Sequence, residues 1–425
     1  MSPPTRILLA LVLGLSAGII VVASGVPWVE ESILLLEPIG NLWLNALRMT
    51  IVPLVVSLLI TGIAASAKAA RANRLAGRAL ILFVALLWIS AITSAILTPL
   101  LLDFFPLPLE SAAALRDALS VSAPVGQAPS FADFIQSIVP SNAIAAAAEA
   151  AILPLIIFTM VFAFAVTRLP AEPRERLIAF FEALGDTMLI MINWILWIAP
   201  VGVFALAYVV GARAGGSAFG ALIHYVLIVS AVGIVLWLAA WPLARFGAGI
   251  GFGKFTRAIA PSQAVAFSTQ SSLATLPAML RANARLDVPV AASGVLLPMA
   301  VSVFRATGPA MNLAVAIYIA YWFGMELTTA QLAFGVAAAA TTTMGAPGIP
   351  GQASFVTSIA PICIAMGVPI EPLALLIAVE VLPDLVRTVG NVSMDVAATA
   401  TAARRSGFTE AESETEQDRL LEQGA

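Results

Sequence analysis

Apolar stretches long enough to cross a bilayer recur along the first half of this chain and restrict it to a membrane fold. A helix needs about 20 apolar residues to span the hydrocarbon core of a bilayer. Such stretches lie at Ile7 to Ser24 and at roughly 40–66, 78–102, 144–168, 182–211 and 219–243. A β-barrel would instead need short alternating segments, which the sequence lacks. We therefore expect an all-α polytopic membrane protein.

Composition narrows the class of protein further. Of 425 residues, 60% are hydrophobic and only 11% are charged, and the net charge of -3 gives no reason to expect a nucleic-acid partner. The single cysteine, Cys363, excludes an intramolecular disulfide and a cysteine-based metal cluster. Because the first apolar stretch leads into further spans, it is interpreted as a transmembrane helix and not as a secretion signal.

The basic residues predict the orientation, because lysine and arginine favour cytoplasmic loops. They concentrate in alternate loops, which contain Arg6; Lys68, Arg71, Arg74 and Arg78; Arg168, Arg174 and Arg176; Arg245, Lys254 and Arg257; and Arg404 with Arg405. The prediction is a multi-pass protein of the cytoplasmic (inner) membrane with both termini in the cytoplasm. Arg48 is expected to act as an anchor near the cytoplasmic edge. The acidic tail from Thr409 is expected to be disordered.

A polar stripe interrupts the apolar segment that runs from about Ala374 to Ala402. Its side chains follow helical spacing and share one face: Asp384, Arg387, Thr388, Asn391 and Asp395. A charged residue at the centre of a spanning helix costs about 2.5–3.5 kcal/mol, so it persists where it faces protein, water or ligand. The stripe predicts a binding site. The alternative is an Asp-Arg pair that only locks two helices together.

Two segments of the second half are predicted to be re-entrant hairpins, since each has two short apolar arms around a polar or Gly/Pro-rich tip. The tips are residues 268–272 and 345–351. Irregular backbone is tolerated at membrane depth where it is buried in protein or lines a cavity, and half-helix N-termini suit anionic ligands. Ordinary surface loops are the alternative interpretation of both tips.

Three motifs resemble the signatures of the glutamate transporter family, whose bacterial members are called dicarboxylate/amino acid:cation symporters. They are TQSSLATLP from Thr269 to Pro277, GIPG from Gly348 to Gly351, and DLVRTVGNVSMD from Asp384 to Asp395. The similarity also covers LRMTIVPL from Leu47, IVPSN from Ile138 and NWILWIAPVGVF from Asn193. It therefore extends over nearly the whole chain, in order.

The resemblance implies eight transmembrane helices and two re-entrant helical hairpins in an elevator-type transporter that forms a homotrimer. It divides the chain into scaffold helices 1–2 (1–77), transport-domain helix 3 with an outer loop (78–131), scaffold helices 4–5 (132–218), the transport-domain core (219–405) and a disordered acidic tail (406–425). A small anionic substrate and the lipid bilayer are the implied partners.

The resemblance also assigns the substrate contacts. Arg387 would bind a side-chain carboxylate and Asp384 the substrate ammonium group. Further contacts would come from Thr388, Asn391, Ser271, Ser272 and Thr307, and from the backbone around Ile349 and Ala353. A plain dicarboxylate would leave Asp384 buried and unpaired, which is costly. Aspartate or glutamate is therefore favoured, with a C4-dicarboxylate or a neutral amino acid as alternatives.

Helix 7 departs from the family pattern, because Phe304-Arg305-Ala306 stands where relatives carry Asn-Met-Asp. At least one sodium site is expected to be lost, and a residual site would involve Asp395 and Asn391. One hypothesis is that Arg305, paired with Asp395, substitutes for a bound sodium ion. Coupling would then use protons, or transport would run as exchange.

Several alternatives stay open at this point. The proton would be carried by Asp384 or Glu380. Arg305 would otherwise be a second carboxylate anchor, or the site would serve some other substrate.

The remaining expectations concern single residues and other classes of protein. Pro383 is expected to interrupt its helix and free a carbonyl. The only histidine, His224, is expected to pack or hydrogen-bond and not to relay protons. No cofactor is expected. One histidine cannot form a zinc-protease motif, so an enzyme is disfavoured. An anion-conducting channel is the alternative of another class.

Overall fold

The fold is helical throughout the part of the chain that the structure covers. The computed structural model describes residues 3–72, 74–107, 139–149, 152–345 and 352–406. The helices are α1 (Pro3–Ala23), α2 (Val29–Arg48), α3 (Ile51–Ala72), α4 (Arg74–Phe104), α5 (Ala143–Ala148), α6 (Ile152–Val166), α7 (Ala171–Trp197), α8 (Ala199–Ala214), α9 (Ser217–Leu238), α10 (Phe252–Thr269), α11 (Ser272–Arg285), α12 (Val290–Val303), α13 (Thr307–Trp322), α14 (Thr329–Gly345), α15 (Gln352–Met366) and α16 (Val381–Ser406). A π-helical turn, Leu243–Gly247, lies between α9 and α10.

Six stretches among the described residues are long and apolar enough to cross a bilayer, which makes the protein a multi-pass membrane protein. They are Thr5–Ala23, Val29–Ala65, Leu75–Phe104, Ala171–Trp197, Ala218–Gly247 and Val290–Trp322. Shorter apolar helices include Pro154–Val166 and Ala199–Ala214. The prediction of an all-α membrane protein is confirmed.

Two of the expected spans have different boundaries in the structure. The span expected at 40–66 is divided between α2 and α3, which are separated at Met49 and Thr50. The span expected at 182–211 is divided between α7 and α8 at Ile198. Pro53 and Pro200 lie within the first turns after these breaks, where a missing N–H costs no helical hydrogen bond. Hydropathy could not show these breaks because both sides of each one are apolar.

Helices α1, α2 and α8 form one closely packed group. The backbones of α1 and α8 approach so closely that a Cβ atom on Gly14 would lie 2.5 Å from the carbonyl oxygen of Phe204. Small residues at helix contacts allow this approach. In lipid, where no hydrophobic effect drives helices together, the close van der Waals packing that results stabilises their association. On α2, the indole of Trp43 donates to the carbonyl of Ile195 at 3.0 Å and so links this group to the end of α7.

A single methyl group at the contact between α1 and α8 is expected to destabilise the protein. Gly14→Ala would place Cβ against the backbone of α8, which cannot shift without the rest of that helix. We expect this overpacking to lower the free energy of unfolding by about 1–3 kcal/mol. Gly220→Ala is the matched control, because a Cβ at that helical glycine would meet no atom within 4 Å. The midpoint of thermal unfolding should fall for Gly14→Ala and stay level for Gly220→Ala. Equal midpoints would contradict this account of the contact.

The remaining core is built around α16. This helix contacts α4, α9, α10, α11, α12 and α13. Almost every residue of α16 from Pro383 to Ala403 is buried. Helices α10 and α11 pack against each other as a helical hairpin, as do α14 and α15. Helices α12 and α13 are two halves of one path, broken at residues 304–306. A hairpin tip, a broken helix and a polar helix face thus lie in one bundle.

Candidate functional site

The polar stripe forms one buried face of α16, as its spacing predicted. Asp384, Arg387 and Thr388 are each 5% exposed, and Asn391 and Asp395 are 2% and 1% exposed. Glu380 precedes the helix by one residue and is 1% exposed, and its carbonyl accepts from the Asp384 N–H at 2.9 Å.

Pro383 does not interrupt this helix. It lies in the first turn of α16, where a proline removes no intrahelical hydrogen bond, so the expected break between Glu380 and Asp384 was wrong.

Arg387 is paired on one side of its guanidinium and unpaired on the other. Its Nη1 contacts Oε1 of Glu380 and lies 3.2 Å from Oδ1 of Asp384. Its Nε and Nη2 are buried without a hydrogen-bond partner among the described residues. These two nitrogens present parallel N–H groups along one edge, the geometry that binds a carboxylate in bidentate fashion. Buried donors normally have partners, so this edge is the clearest sign of a ligand position.

Tyr225 belongs to the site, although sequence analysis did not identify it. This fully buried residue of α9 donates from its hydroxyl to Oε2 of Glu380 at 3.4 Å. The two residues are 155 positions apart in the chain. No local pattern joins them, and a tyrosine within an apolar span looks like ordinary core packing.

The buried charges do not balance within this group. Glu380, Asp384 and Asp395 supply three carboxylates, whereas Arg387 and Arg305 supply two guanidinium groups, which leaves one negative charge in excess. Charges withdrawn from water are tolerated when they are paired or neutralised. A proton or another cation would remove this excess.

Residues 304–306 form a non-helical segment between α12 and α13. The ring of Phe304 stacks on that of Phe83 of α4 with centroids 4.6 Å apart, and both rings are buried. The carbonyl of Ala306 accepts from the Ser90 hydroxyl at 2.5 Å, and the carbonyl of Arg305 accepts from the Gly308 N–H at 2.8 Å. An aromatic side chain and two occupied carbonyls therefore hold this break.

Arg305 is half-buried, and the charges that act on it are those of Arg387, Asp384 and Asp395. The guanidinium therefore lies within electrostatic range of Asp395, the partner expected from the sequence. Asp395 is buried, and its Oδ1 has no hydrogen-bond partner among the described residues.

Thr307 joins α13 to α16. Its hydroxyl lies 2.7 Å from Oδ1 of Asn391 and 2.9 Å from the carbonyl of Arg387, and its N–H donates to the same Asn391 oxygen at 2.9 Å. Gly390 makes this approach possible, since a Cβ there would lie 2.6 Å from Cγ2 of Thr307. Thr307 and Asn391, both expected to contact substrate, therefore also hold the broken helix against α16.

The first hairpin tip is a tight turn. Gln270 adopts the left-handed conformation with φ 51°, and the Ser271 hydroxyl caps α11 by accepting from the Ala274 N–H at 3.2 Å. Ser272 is half-buried at the first position of α11. The second tip, including Ile349, lies outside the described residues, and Ala353 lies in the first turn of α15.

His224 and Arg48 each have polar partners within the described residues. The imidazole of His224 is hydrogen-bonded to the Tyr318 hydroxyl at 2.9 Å and the Phe105 carbonyl at 2.7 Å, so the expected hydrogen bonding is present. Arg48 ends α2 and pairs with Glu371 at 2.6 Å. Its expected role as an anchor near the cytoplasmic edge stays a prediction.

No group of three or more His, Cys, Asp or Glu side chains is arranged to hold a metal ion within the described part of the chain. The site consists instead of a guanidinium edge, three carboxylates and a broken helix within a membrane bundle. Fold and site together define a multi-pass membrane transporter with a buried charged site.

Comparison with known proteins gives the family. The model of the sodium:dicarboxylate symporter family matches residues 4–405, and the chain belongs to this family. It is a transporter and not an enzyme, and the resemblance noted in the sequence is confirmed.

Named relatives differ in their substrates. The proton/glutamate-aspartate symporter of Escherichia coli (strain K12) is 28% identical over 84% of this chain and 82% of its own length. The neutral amino acid transporter B(0) of Bos taurus is 31% identical over 84% of this chain and 71% of its own. The C4-dicarboxylate transport protein of Laribacter hongkongensis (strain HLHK9) is 24% identical over 87% and 83%.

Proposed function

We propose that the protein imports an acidic amino acid, aspartate or glutamate, by proton-coupled transport that does not require sodium. The observation that carries the proposal is one edge of the Arg387 guanidinium, whose Nε and Nη2 are buried and have no hydrogen-bond partner among the described residues. A substrate side-chain carboxylate would satisfy both nitrogens at once. Lysine could not supply this planar pair of donors.

Asp384 supports an amino acid over a plain dicarboxylate. Its carboxylate is buried beside Arg387 and would accept the substrate ammonium group. Succinate offers no positive charge there, so binding it would leave Asp384 facing a second anion. Thr388, Asn391, Thr307, Ser271 and Ser272 would complete the polar contacts, and the backbone around Ile349 and Ala353 would close the second hairpin over the substrate.

The broken helix supports independence from sodium. Sodium binds hard oxygen ligands, and the side chains of Phe304 and Ala306 offer none. The Phe304 ring instead packs on Phe83, and the carbonyl of Ala306 is occupied by Ser90. Arg305 lies where its charge acts on Asp395 and would substitute for a bound cation. Asp395 and Asn391 are the residues around which any residual sodium site would form.

Glu380 is the proton carrier in this proposal. Its two oxygens contact Arg387 and Tyr225, and protonation would remove the excess negative charge of the group. Protonation would also remove a negative charge beside Arg387, so its open edge would attract the anionic substrate more strongly. Asp384 is less suited to this role because its charge is needed for the substrate ammonium group.

We also propose for this protein the finer features that the family resemblance implies. They are an elevator movement of residues 78–131 and 219–405 against a scaffold of 1–77 and 132–218, a homotrimer, and location in the cytoplasmic (inner) membrane with cytoplasmic termini. The close contact of α1 with α8 and the group of helices packed around α16 support this division.

Uptake into proteoliposomes tests the proposal. Radiolabelled aspartate, glutamate and succinate are supplied under a proton gradient or a sodium gradient at the same membrane potential. We expect aspartate or glutamate uptake with the proton gradient alone. Succinate uptake that exceeds both would favour a dicarboxylate carrier, and conductance without saturation or counter-exchange would favour a channel.

Restoring the residues that relatives carry at positions 304–306, between α12 and α13, should create sodium dependence. The triple variant Phe304→Asn, Arg305→Met and Ala306→Asp supplies two oxygen-bearing side chains and removes the fixed charge. We expect its aspartate uptake to rise with sodium concentration, whereas wild-type uptake stays flat. Arg305→Met alone is the control, since it removes the charge without adding ligands. A triple variant that folds, transports and ignores sodium would contradict the substitution of Arg305 for the ion.

A further inference from the structure

A basic cavity lies at the base of the first hairpin, away from the buried site. It has a volume of about 390 Å³ and is lined by Gly253, Lys254, Arg257, Ala258 and Arg285. Lys254 and Arg257 belong to the first turns of α10, and Arg285 is the last residue of α11. The two arms of the hairpin therefore bring three cations to one cavity of the size that holds small ligands.

Two of these cations have no protein counter-charge among the described residues. Arg257 and Arg285 are exposed, and neither forms an ion pair within the described part of the chain. Lys254 pairs with Asp287, and the lysine's hydrogen bond and charge hold the pKa of that carboxyl below its usual value. One carboxylate beside three cations leaves a net positive cavity. The chemistry selects an anion.

Two exposed aromatic residues come shortly before the cavity-lining residues in the chain. Phe252, the first residue of α10, is 51% exposed, and Phe246 of the preceding π-helical turn is 79% exposed. Beside them, the Trp241 indole donates to the Thr256 hydroxyl at 2.8 Å. Exposed apolar rings near basic residues in the chain are typical of segments at the membrane interface, where rings lie beside acyl chains and cations face the headgroups. The two exposed phenylalanines would make no favourable contact with a small soluble anion, whereas they could pack against acyl chains.

The cavity lies at the end of the molecule where α16 terminates. Arg404 donates to the carbonyls of Ala248 and Leu286, each at 3.0 Å, and so ties α16 to both ends of this hairpin. On the predicted orientation this is the cytoplasmic side. Basic pockets between membrane helices on that side are suited to phosphate-bearing lipid headgroups.

We infer that this cavity binds the headgroup of an anionic phospholipid of the cytoplasmic leaflet. Arg257 and Arg285 contact the phosphate, and Phe246 and Phe252 lie against the acyl chains. The bound lipid ties the base of the first hairpin, whose other end carries Ser271, to the surface of the membrane.

Thermal unfolding of the full-length protein, purified in detergent, tests this inference. The additions are phosphatidylglycerol, phosphatidylcholine or inorganic phosphate, and the midpoint is followed against the concentration of each. We expect phosphatidylglycerol to raise the midpoint, and the other two to leave it unchanged. Equal stabilisation by phosphatidylcholine would show that the charge of the headgroup does not cause the binding. Stabilisation by phosphate alone would show that the ligand is a soluble anion.

Variants locate the effect at the cavity. Arg257→Gln and Arg285→Gln should each weaken the response to phosphatidylglycerol about fivefold in concentration, which is the usual contribution of one basic residue at an anionic surface. Arg281→Gln is the matched control, since this exposed arginine of α11 donates to its own helix at the Pro277 carbonyl and does not line the cavity. The unsupplemented midpoints show that each variant folds. A double variant with the full wild-type response would overturn the inference.

Discussion

Replacing Arg387 with alanine is expected to abolish aspartate uptake, with a loss of about 100-fold or more in kcat/KM. Truncating one partner of a buried, hydrogen-bonded charge pair costs about 2–5 kcal/mol, and the substrate carboxylate would lose both donors at once. Uptake of a neutral amino acid should fall less, because it does not need the guanidinium edge. The measurement is the initial rate of radiolabelled uptake for aspartate and for a neutral analogue, in the same proteoliposomes.

The control for this prediction is Arg48→Ala, which removes an arginine from the ion pair with Glu371. That pair is a third exposed on each side and includes no residue of the buried site, so its loss should leave substrate selectivity unchanged. Because Arg387→Ala leaves two buried carboxylates without their cation, its thermal midpoint must be compared with that of Arg387→Lys. The lysine variant keeps the positive charge and loses the planar pair of donors. A well-folded Arg387→Ala protein with wild-type aspartate uptake would remove the arginine from the substrate site.

Replacing Glu380 with glutamine is expected to uncouple transport from the proton gradient. Glutamine keeps the shape of the protonated carboxyl but cannot release a proton. When one proton is bound with each substrate, the KM for aspartate falls by up to about tenfold per unit decrease in pH through the range where the carboxyl titrates. The sign follows from the proposal, because protonation removes a negative charge beside the position of the anionic substrate. In Glu380→Gln the KM should be low and independent of pH.

Two assays distinguish uncoupling from simple loss of function. Exchange of internal for external aspartate needs no net proton movement and should persist in Glu380→Gln, while uptake driven by a proton gradient should be lost. Glu371→Gln provides the control, as it alters an Arg-Glu pair outside the buried site and should keep the pH dependence. If Glu380→Gln retains uptake driven by the proton gradient, the proton is carried elsewhere, and Asp384 becomes the next residue to test.

The sequence predicted the face of α16 but not its neighbours. Helical spacing alone is enough to place Asp384, Arg387, Asn391 and Asp395 on one side, and the cost of burying charge marks that side as important. Tyr225 contacts Glu380, which is 155 positions away in the chain, and Ser90 contacts Ala306, which is 216 positions away. Periodicity contains no information about contacts between residues so far apart in sequence. A tyrosine or serine within an apolar span has no local feature that sets it apart.

Helix boundaries show a second limit of the same kind. Met49 and Ile198 lie within apolar stretches that hydropathy treats as continuous, although a break divides each one. Pro383 was misjudged because the start of α16 was placed too early, and the effect of a proline depends on its position from the helix start. By contrast, the polar run at residues 268–272 between two apolar arms indicated the turn at Gln270, whereas the sequence analysis did not predict the break at residues 304–306.

The excess of one buried carboxylate has a consequence for how steeply the substrate can be accumulated. If one proton accompanies a substrate that itself carries one net negative charge, each cycle moves no net charge across the membrane. The membrane potential, worth about 2.3 kcal/mol per charge at 100 mV, would then do no work on transport. A pH difference of one unit would support about a tenfold concentration gradient, regardless of voltage. A carrier of this kind would scavenge its substrate only as far as the acidity outside allows.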